Sequence, residues 1–194
     1  MAERIDKTAT VHPSAHIGAQ ATIDPGAMVG YLATIGKGAR IAEDAIVRLR
    51  GVVRAYAVVG EESTIGPHSD IHAEAVIGAH VTIGSRVRIG RGVAVGRYAS
   101  IESYSQIEDG VRIGQGAHIG KGATVDQGAV IEQRATIGAR AMIGAGAVLN
   151  RRAGVAAEAV VGANARIGTN ARIAARARVP VGMNVAPNTK YSES

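Results

Sequence analysis

The chain contains no cysteine, no phenylalanine and no tryptophan, and only five tyrosines, yet 46% of its residues are hydrophobic. The absence of cysteine excludes disulfide bonds, thiolate nucleophiles and zinc sites with cysteine ligands. Since large aromatic side chains are scarce, the interior must be built mostly from Ala, Val and Ile. Such a core is narrow, and Val and Ile favour strands.

The sequence also lacks a long hydrophobic run. The opening MAERIDKTATVHPSA has no apolar stretch of the kind found in signal peptides, and no segment approaches the length of a membrane span. We therefore expect a cytoplasmic protein with no membrane partner. The net charge of +6 is moderate, and few aromatic groups are present on which bases could stack, so no nucleic-acid partner is expected.

A six-residue repeat runs through almost the whole chain. From Ile5 to Val185 every sixth residue is Ile, Val or Leu, which divides residues 5–190 into 31 consecutive hexads without an insertion. We number the places of each hexad from this aliphatic residue. Ala fills the fifth place in 21 hexads, and 24 of the 26 glycines stand at the second or fourth place.

The repeat predicts a fold because side chains alternate along a strand. Fifth-place and first-place side chains point to one side, and the sixth-place side chain between them points to the other. Third and fourth places rich in Gly, Pro, Asn and Asp predict a bend, with fourth-place Gly suited to positive φ. Strands this short bury a face only when successive coils stack in parallel. Three hexads per coil predict an all-β triangular solenoid of about ten coils, with residues 18 apart in the sequence stacked on one another.

Hexads such as IGKGAR, IGSRVR, IGQGAH, IGKGAT and IGARAM resemble those of the hexapeptide-repeat superfamily. The resemblance implies a single left-handed parallel β-helix, here over residues 1–190 with a tail at 191–194, and a homotrimer. Most members of the superfamily are acyltransferases. The opening RIDKTATVHPSAHIGAQATI is similar to the start of the UDP-N-acetylglucosamine acyltransferases. The chain has neither the inserted loop nor the C-terminal helix that many of these enzymes carry.

Three of the six histidines lie in IGPHSDIHAEAVIGAH, residues 65–80. The hexad register places His68, His72 and His80 at separate positions on the prism, so we expect no metal site. His80 is the catalytic candidate because it stacks on Glu62, and a carboxylate beside an imidazole orients a general base. The other histidines are interpreted as surface residues.

Two further groups of residues carry predictions. Basic residues near the C-terminus are candidates for holding the phosphates of acyl-coenzyme A, or the acidic surface of an acyl carrier protein, as a co-substrate rather than a bound cofactor: Arg134, Arg140 and Arg152. Outward aliphatic and aromatic side chains predict an interface between chains of a homo-oligomer: Tyr31, Leu32, Leu49, Val52, Val58 and Val76.

Three functions remain open at this point. The first is transfer of an acyl group from a thioester to an amine or hydroxyl of a small molecule or nucleotide sugar. The second is a non-catalytic structural or scaffolding solenoid, natural or engineered, which suits the uninterrupted repeat. The third is an activity like that of γ-class carbonic anhydrases, which is disfavoured because RLRGVV (48–53) has Val where that class has Asp.

Overall fold

The computed structural model describes residues 3–193, and these contain 32 strands of two residues each and no helix. Each strand consists of a sixth-place residue and the first-place residue that follows it. The strands form three parallel sheets of eleven, eleven and ten strands, in which every strand pairs with the strand three further along the chain. The pairing register joins residues 18 apart, for example Thr64 with Thr82 and Ile65 with Ile83. The predicted all-β triangular solenoid is confirmed, while its left-handed sense stays a prediction from the resemblance.

Sheet A comprises β1 (Arg4–Ile5), β4 (Thr22–Ile23), β7 (Arg40–Ile41), β10 (Val58–Val59), β13 (Val76–Ile77), β16 (Ala94–Val95), β19 (Arg112–Ile113), β22 (Val130–Ile131), β25 (Val148–Leu149), β28 (Arg166–Ile167) and β31 (Asn184–Val185). Sheet B comprises β2 (Thr10–Val11), β5 (Met28–Val29), β8 (Ile46–Val47), β11 (Thr64–Ile65), β14 (Thr82–Ile83), β17 (Ser100–Ile101), β20 (His118–Ile119), β23 (Thr136–Ile137), β26 (Gly154–Val155), β29 (Arg172–Ile173) and β32 (Lys190–Tyr191). Sheet C comprises β3 (His16–Ile17), β6 (Thr34–Ile35), β9 (Val52–Val53), β12 (Asp70–Ile71), β15 (Arg88–Ile89), β18 (Gln106–Ile107), β21 (Thr124–Val125), β24 (Met142–Ile143), β27 (Val160–Val161) and β30 (Arg178–Val179).

The core fills the space between the three sheets and runs the length of the solenoid. First-place aliphatic residues and fifth-place small residues supply almost all of it, as in Ile83 and Ala45, which are 1% and 0% exposed. Close stacking of successive coils leaves no room for side chains at some second places. A Cβ on Gly36, for instance, would lie 2.5 Å from the backbone nitrogen of Ala55 in the next coil. The core is therefore narrow, as the composition predicts.

The corners between sheets hold their fourth-place residues at positive φ from Gln20 to Asn188. The sequence predicts this conformation for glycine, but most of the residues that adopt it here are not glycine, including Glu62, His80 and Tyr98. The fold enforces it because each corner is bonded to the coil before it: the N–H of His80 donates to the carbonyl of Glu61 at 2.8 Å. Fourth-place residues of different chemical types therefore take the same corner conformation, and their side chains stack in columns along the solenoid.

Candidate functional site

His80 lies at a corner between strands β13 and β14, where sheet A meets sheet B. Its Nδ1 is 3.1 Å from Oε2 of Glu62 in the preceding coil. Its ring stacks on the ring of Tyr98 in the following coil, with centroids 4.8 Å apart and an interplanar angle of 3°. The side chain of His80 is 30% exposed and that of Glu62 is 62% exposed. The predicted contact is thus present, and it leaves Nε2 at the tip of the ring for a reacting group.

A buried hydroxyl holds the corner that carries His80. Ser63 Oγ donates to the carbonyl of Gly78 at 2.7 Å and accepts from the N–H of Val81 at 2.9 Å. In most corners the fifth-place N–H donates directly to the second-place carbonyl, as Ala45 does to Ala42 at 3.1 Å. Here Ser63 bridges the two groups instead, so it is bonded to both ends of the loop on which His80 stands.

Ser63 was not among the predicted site residues, although the sequence holds a signal for it. It occupies a fifth place, where Ala is the rule, and a buried hydroxyl there must find hydrogen-bond partners. The same signal marks Ser69, whose Oγ donates to the carbonyl of Gly84 at 2.8 Å and accepts from the N–H of Val87 at 3.0 Å. Ser105, the third buried serine at a fifth place, donates to the carbonyl of Gly120 at 3.0 Å, yet Ala123 there keeps the direct bond at 3.2 Å, so a fifth-place serine alone does not predict an altered corner.

A second histidine–glutamate pair lies on the outer face of sheet B. His118 Nε2 is 3.3 Å from Oε1 of Glu102, and the two side chains are 43% and 47% exposed. The other oxygen of Glu102 accepts from the backbone N–H of Lys121 at 2.9 Å. The Lys121 ammonium lies 5.6 Å from the centre of the Tyr104 ring, and these residues line a shallow groove of about 340 Å³. The sequence interpretation of His118 as a surface residue did not anticipate this pair.

The remaining histidines of residues 65–80 lie elsewhere. His72 Nε2 is 3.4 Å from Oδ2 of Asp70, but Arg54 already engages both oxygens of that carboxylate at 2.8 and 2.7 Å. Burial pushes the pKa of Asp70 upward, and the hydrogen bonds and charge of Arg54 outweigh it, so the pKa lies below its ordinary value of 3.8. His68 stands at a different corner, in the column of Arg50 and Arg86. The predicted separation of the three histidines is confirmed.

The three candidate arginines do not converge within one chain. Arg134 and Arg152 lie in the corner column of His80, three and four coils further along the solenoid. Arg140 lies at the next corner, beyond sheet B, where it is 3.9 Å from Glu158. Glu158 in turn accepts a hydrogen bond of 2.9 Å from Arg176. Two of the three are therefore placed on the same edge as His80.

The predicted apolar contact residues are exposed or half-buried, and they are spread over the prism. Tyr31, Leu32 and Leu49 lie at one corner, with exposures of 49%, 40% and 40%. Val52 is on sheet C, whereas Val58 and Val76 are on sheet A. Leu49 also lines an apolar groove of about 650 Å³ on sheet B, together with Met28, Ile46, Val47 and Pro67. No single flat patch collects the predicted set.

Within residues 3–193 no three His, Asp or Glu side chains are grouped closely enough to hold a metal ion. The same part of the chain contains no helix of the length and apolarity that a membrane crossing requires.

Two family models match separate parts of the sequence. Residues 5–90 match the GMPPB C-terminal domain, and residues 116–151 match the bacterial transferase hexapeptide (six repeats). No curated protein sequence is significantly similar to the chain. The repeat match and the three-sheet solenoid confirm the predicted resemblance to the hexapeptide-repeat superfamily.

Two solved structures with the same architecture are UDP-N-acetylglucosamine acyltransferases. The enzyme from Moraxella catarrhalis (LpxA) superposes with a TM-score of 0.70 at 17% identity, over 92% of this chain and 69% of that chain. The enzyme from Arabidopsis superposes with a TM-score of 0.60 at 21% identity, over 94% of this chain and 70% of that chain. At these identities the likeness concerns the fold.

Proposed function

We propose that the chain is a hexapeptide-repeat acyltransferase that uses His80 as its general base. The observation that carries the proposal is the arrangement of His80, with Nδ1 against Glu62, one ring face against Tyr98, and Nε2 left for a substrate. A carboxylate at Nδ1 holds the proton on that nitrogen and stabilises the imidazolium that forms during proton transfer. The superfamily fold supports the class of reaction.

In the proposed reaction, Nε2 of His80 takes the proton from an amine or hydroxyl as that group attacks the carbonyl carbon of an acyl thioester. The new N–C or O–C bond forms while the carbonyl becomes a tetrahedral oxyanion. When the oxyanion collapses, the C–S bond breaks, and the thiolate leaves with the proton carried by Nε2. His80 returns to its neutral form, and Glu62 keeps its charge throughout.

The donor is proposed to be acyl-coenzyme A or an acyl carrier protein, and the acceptor a small molecule or a nucleotide sugar. Arg134 and Arg152 are roughly 14 and 19 Å from His80 along the edge, at about 4.8 Å per coil. Such spacing separates a thioester at His80 from phosphates further along the solenoid. Arg140 lies across sheet B, so it can join the same donor only from a neighbouring chain of the proposed homotrimer.

The test compares His80→Ala with His118→Ala, because both variants remove an imidazole that faces a glutamate. We expect the wild type to bind an acyl thioester in calorimetry and to transfer its acyl group to an amine or hydroxyl acceptor. His80→Ala should lower kcat/KM by about 100-fold or more, as loss of a general base does, while His118→Ala should change it less than about threefold.

Failure of the wild type to bind or turn over acyl-coenzyme A and acyl carrier protein thioesters would refute acyl transfer. An equal loss in both variants would refute the specific role of His80.

A further inference from the structure

The corner where sheet A meets sheet B changes its charge along the solenoid. We call its fourth-place column the A–B edge, which in the middle coils reads Asp44, Glu62, His80, Tyr98, Gly116, Arg134 and Arg152. Adjacent third places follow the same trend, with Glu43 and Glu61 in the first half and Arg151 in the second. Within the fourth-place column the charges are arranged symmetrically in position and oppositely in sign about Tyr98, whereas at the third places only Glu43 and Arg151 correspond in this way.

In the part of the chain that the structure describes, most of these charged residues form no ion pair with another residue of the same chain. Among residues 3–193, Glu43, Asp44 and Glu61 form no ion pair, and Glu62 pairs with a histidine only. Arg134 and Arg152 likewise have no carboxylate within ion-pair distance in this part of the chain. Four acids elsewhere on the surface are paired internally, in Asp24–Arg40, Asp70–Arg54, Glu74–Arg91 and Glu158–Arg176, with distances of 2.7, 2.7, 2.7 and 2.9 Å. Other acids of the described residues, such as Asp126, are unpaired as well, so what marks the A–B edge is the order of its charges along the column.

We propose that the A–B edge binds a second copy of the chain, packed antiparallel along the same edge with its two-fold axis at Tyr98. Two coils separate Tyr98 from both Glu62 and Arg134, or roughly 10 Å at the strand spacing. Antiparallel packing therefore sets each Glu62 opposite Arg134 of the second copy, and each Asp44 opposite its Arg152. An isologous contact of this kind repeats each ion pair twice between the two chains that it joins.

The centre of the edge also suits this packing. His80, one coil from Tyr98, faces Gly116 of the second copy, which presents no side chain to collide with the imidazole. Tyr98 is 55% exposed and meets its own copy at the axis. Arg97 also meets its own copy, which is the one unfavourable contact. Its guanidinium lies 5.8 Å from the centre of the Tyr98 ring, where the π face offsets part of the charge.

The pairing does not depend on the proposed acyl transfer. Pairing of two chains engages Arg134 and Arg152, which are the residues proposed to hold the donor phosphates. A chain therefore cannot be paired and hold the donor at the same time. Pairing is measured without any thioester, and turnover is measured with one. Failure of one proposal therefore leaves the other standing.

The first test is a charge exchange between the two halves of the edge. In about 50 mM salt the mass of the wild type, measured by sedimentation, should be at least twice its mass in about 500 mM salt, because exposed charges are screened. Since a narrow edge contact is weak, protein at about 50 µM is used. Asp44→Arg with Glu62→Arg should abolish the doubling, and so should Arg134→Glu with Arg152→Glu. An equimolar mixture of the two double variants should restore it.

A mass that does not depend on salt overturns the proposal. So does a mixture of correctly folded variants, checked by circular dichroism, that fails to recover the doubled mass. Either result assigns the charges to another partner or to none.

The second test uses the absence of cysteine from the chain. Tyr98→Cys places one thiol at the two-fold axis and should form a disulfide-linked dimer on mild oxidation. Asn170→Cys, in the same column, should not, because antiparallel packing holds the two thiols about 38 Å apart at the coil spacing. Equal cross-linking of both variants indicates parallel packing and overturns the proposal. Equal absence of cross-linking also overturns it.

Discussion

Two histidine–glutamate pairs lie near sheet B, and they differ in which ring nitrogen the carboxylate occupies. Glu62 faces Nδ1 of His80, whereas Glu102 faces Nε2 of His118. In the first pair the nitrogen at the tip of the ring stays available, and Tyr98 covers one ring face. In the second pair the available nitrogen is the one next to the histidine's own backbone. The same two residue types therefore leave the tip nitrogen available at the corner, as the proposed role of His80 requires, and occupy it on the sheet.

The largest expected difference between the two pairs is in the effect on kcat/KM of replacing each glutamate. Replacing Glu62 by Gln removes the charge that stabilises the His80 imidazolium, so we expect kcat/KM for acyl transfer to fall about 100-fold. Replacing Glu102 by Gln should leave kcat/KM within about threefold of the wild type. Steady-state kinetics on both variants measure the difference. Equal losses would show that the orientation of the ring nitrogen does not matter.

The buried serines allow stability and catalysis to be separated. Ser63→Ala and Ser69→Ala each leave a backbone N–H and a carbonyl without their bridging hydroxyl, so each should lower the free energy of unfolding by about 1–2 kcal/mol. Denaturant titrations measure both losses. Since, of the two serines, only Ser63 is bonded to the loop of His80, only Ser63→Ala should also lower kcat. A similar fall in kcat for Ser69→Ala would assign the effect to general destabilisation.

The aromatic contact of His80 should be measurable as a coupling energy. A double-mutant cycle with His80→Ala and Tyr98→Ala should give a coupling of about 0.5–1.5 kcal/mol in the free energy of unfolding, as stacked rings do. The same cycle on His118 and Tyr104, which are not stacked, should give a coupling near zero. A zero value for the first cycle would show that the stacking contributes nothing to stability.

The carboxylate of Asp70, which contacts His72 and is paired with Arg54, predicts a pH effect. The folded pKa of Asp70 lies below its value in the unfolded chain, so the stability it contributes is present above the unfolded pKa and is lost as pH falls through the folded pKa. At pH 7 Asp70→Asn should cost about 1 kcal/mol, because the pair with Arg54 is bidentate but partly exposed. The difference from the wild type should shrink below about pH 4. A difference that grows on acidification would contradict this assignment.

Much of the fold could be predicted because the hexad register is continuous. Knowing the place of a residue in the hexad was enough to predict that Ile83 is buried and that His80 stacks on Glu62. The spread of the apolar residues follows from the same rule, since Val52 and Val58 are one hexad apart and so lie on different sheets. A cyclic oligomer uses two different faces of each chain, so this spread is compatible with the expected homo-oligomer, which stays a prediction.

The sequence by itself determined the inward and outward faces, because a period of six with no insertion permits one register. The pairing of strands in the structure confirms three hexads per coil and with them the columns. Only the tertiary structure decided the details that matter for chemistry. Positive φ at Glu62, His80 and Tyr98 arises because hydrogen bonds between coils hold the corners against the preference of these residues. The bridge made by Ser63 and the choice of Nδ1 or Nε2 depend on side-chain distances of about 3 Å. Periodicity alone does not specify distances on that scale.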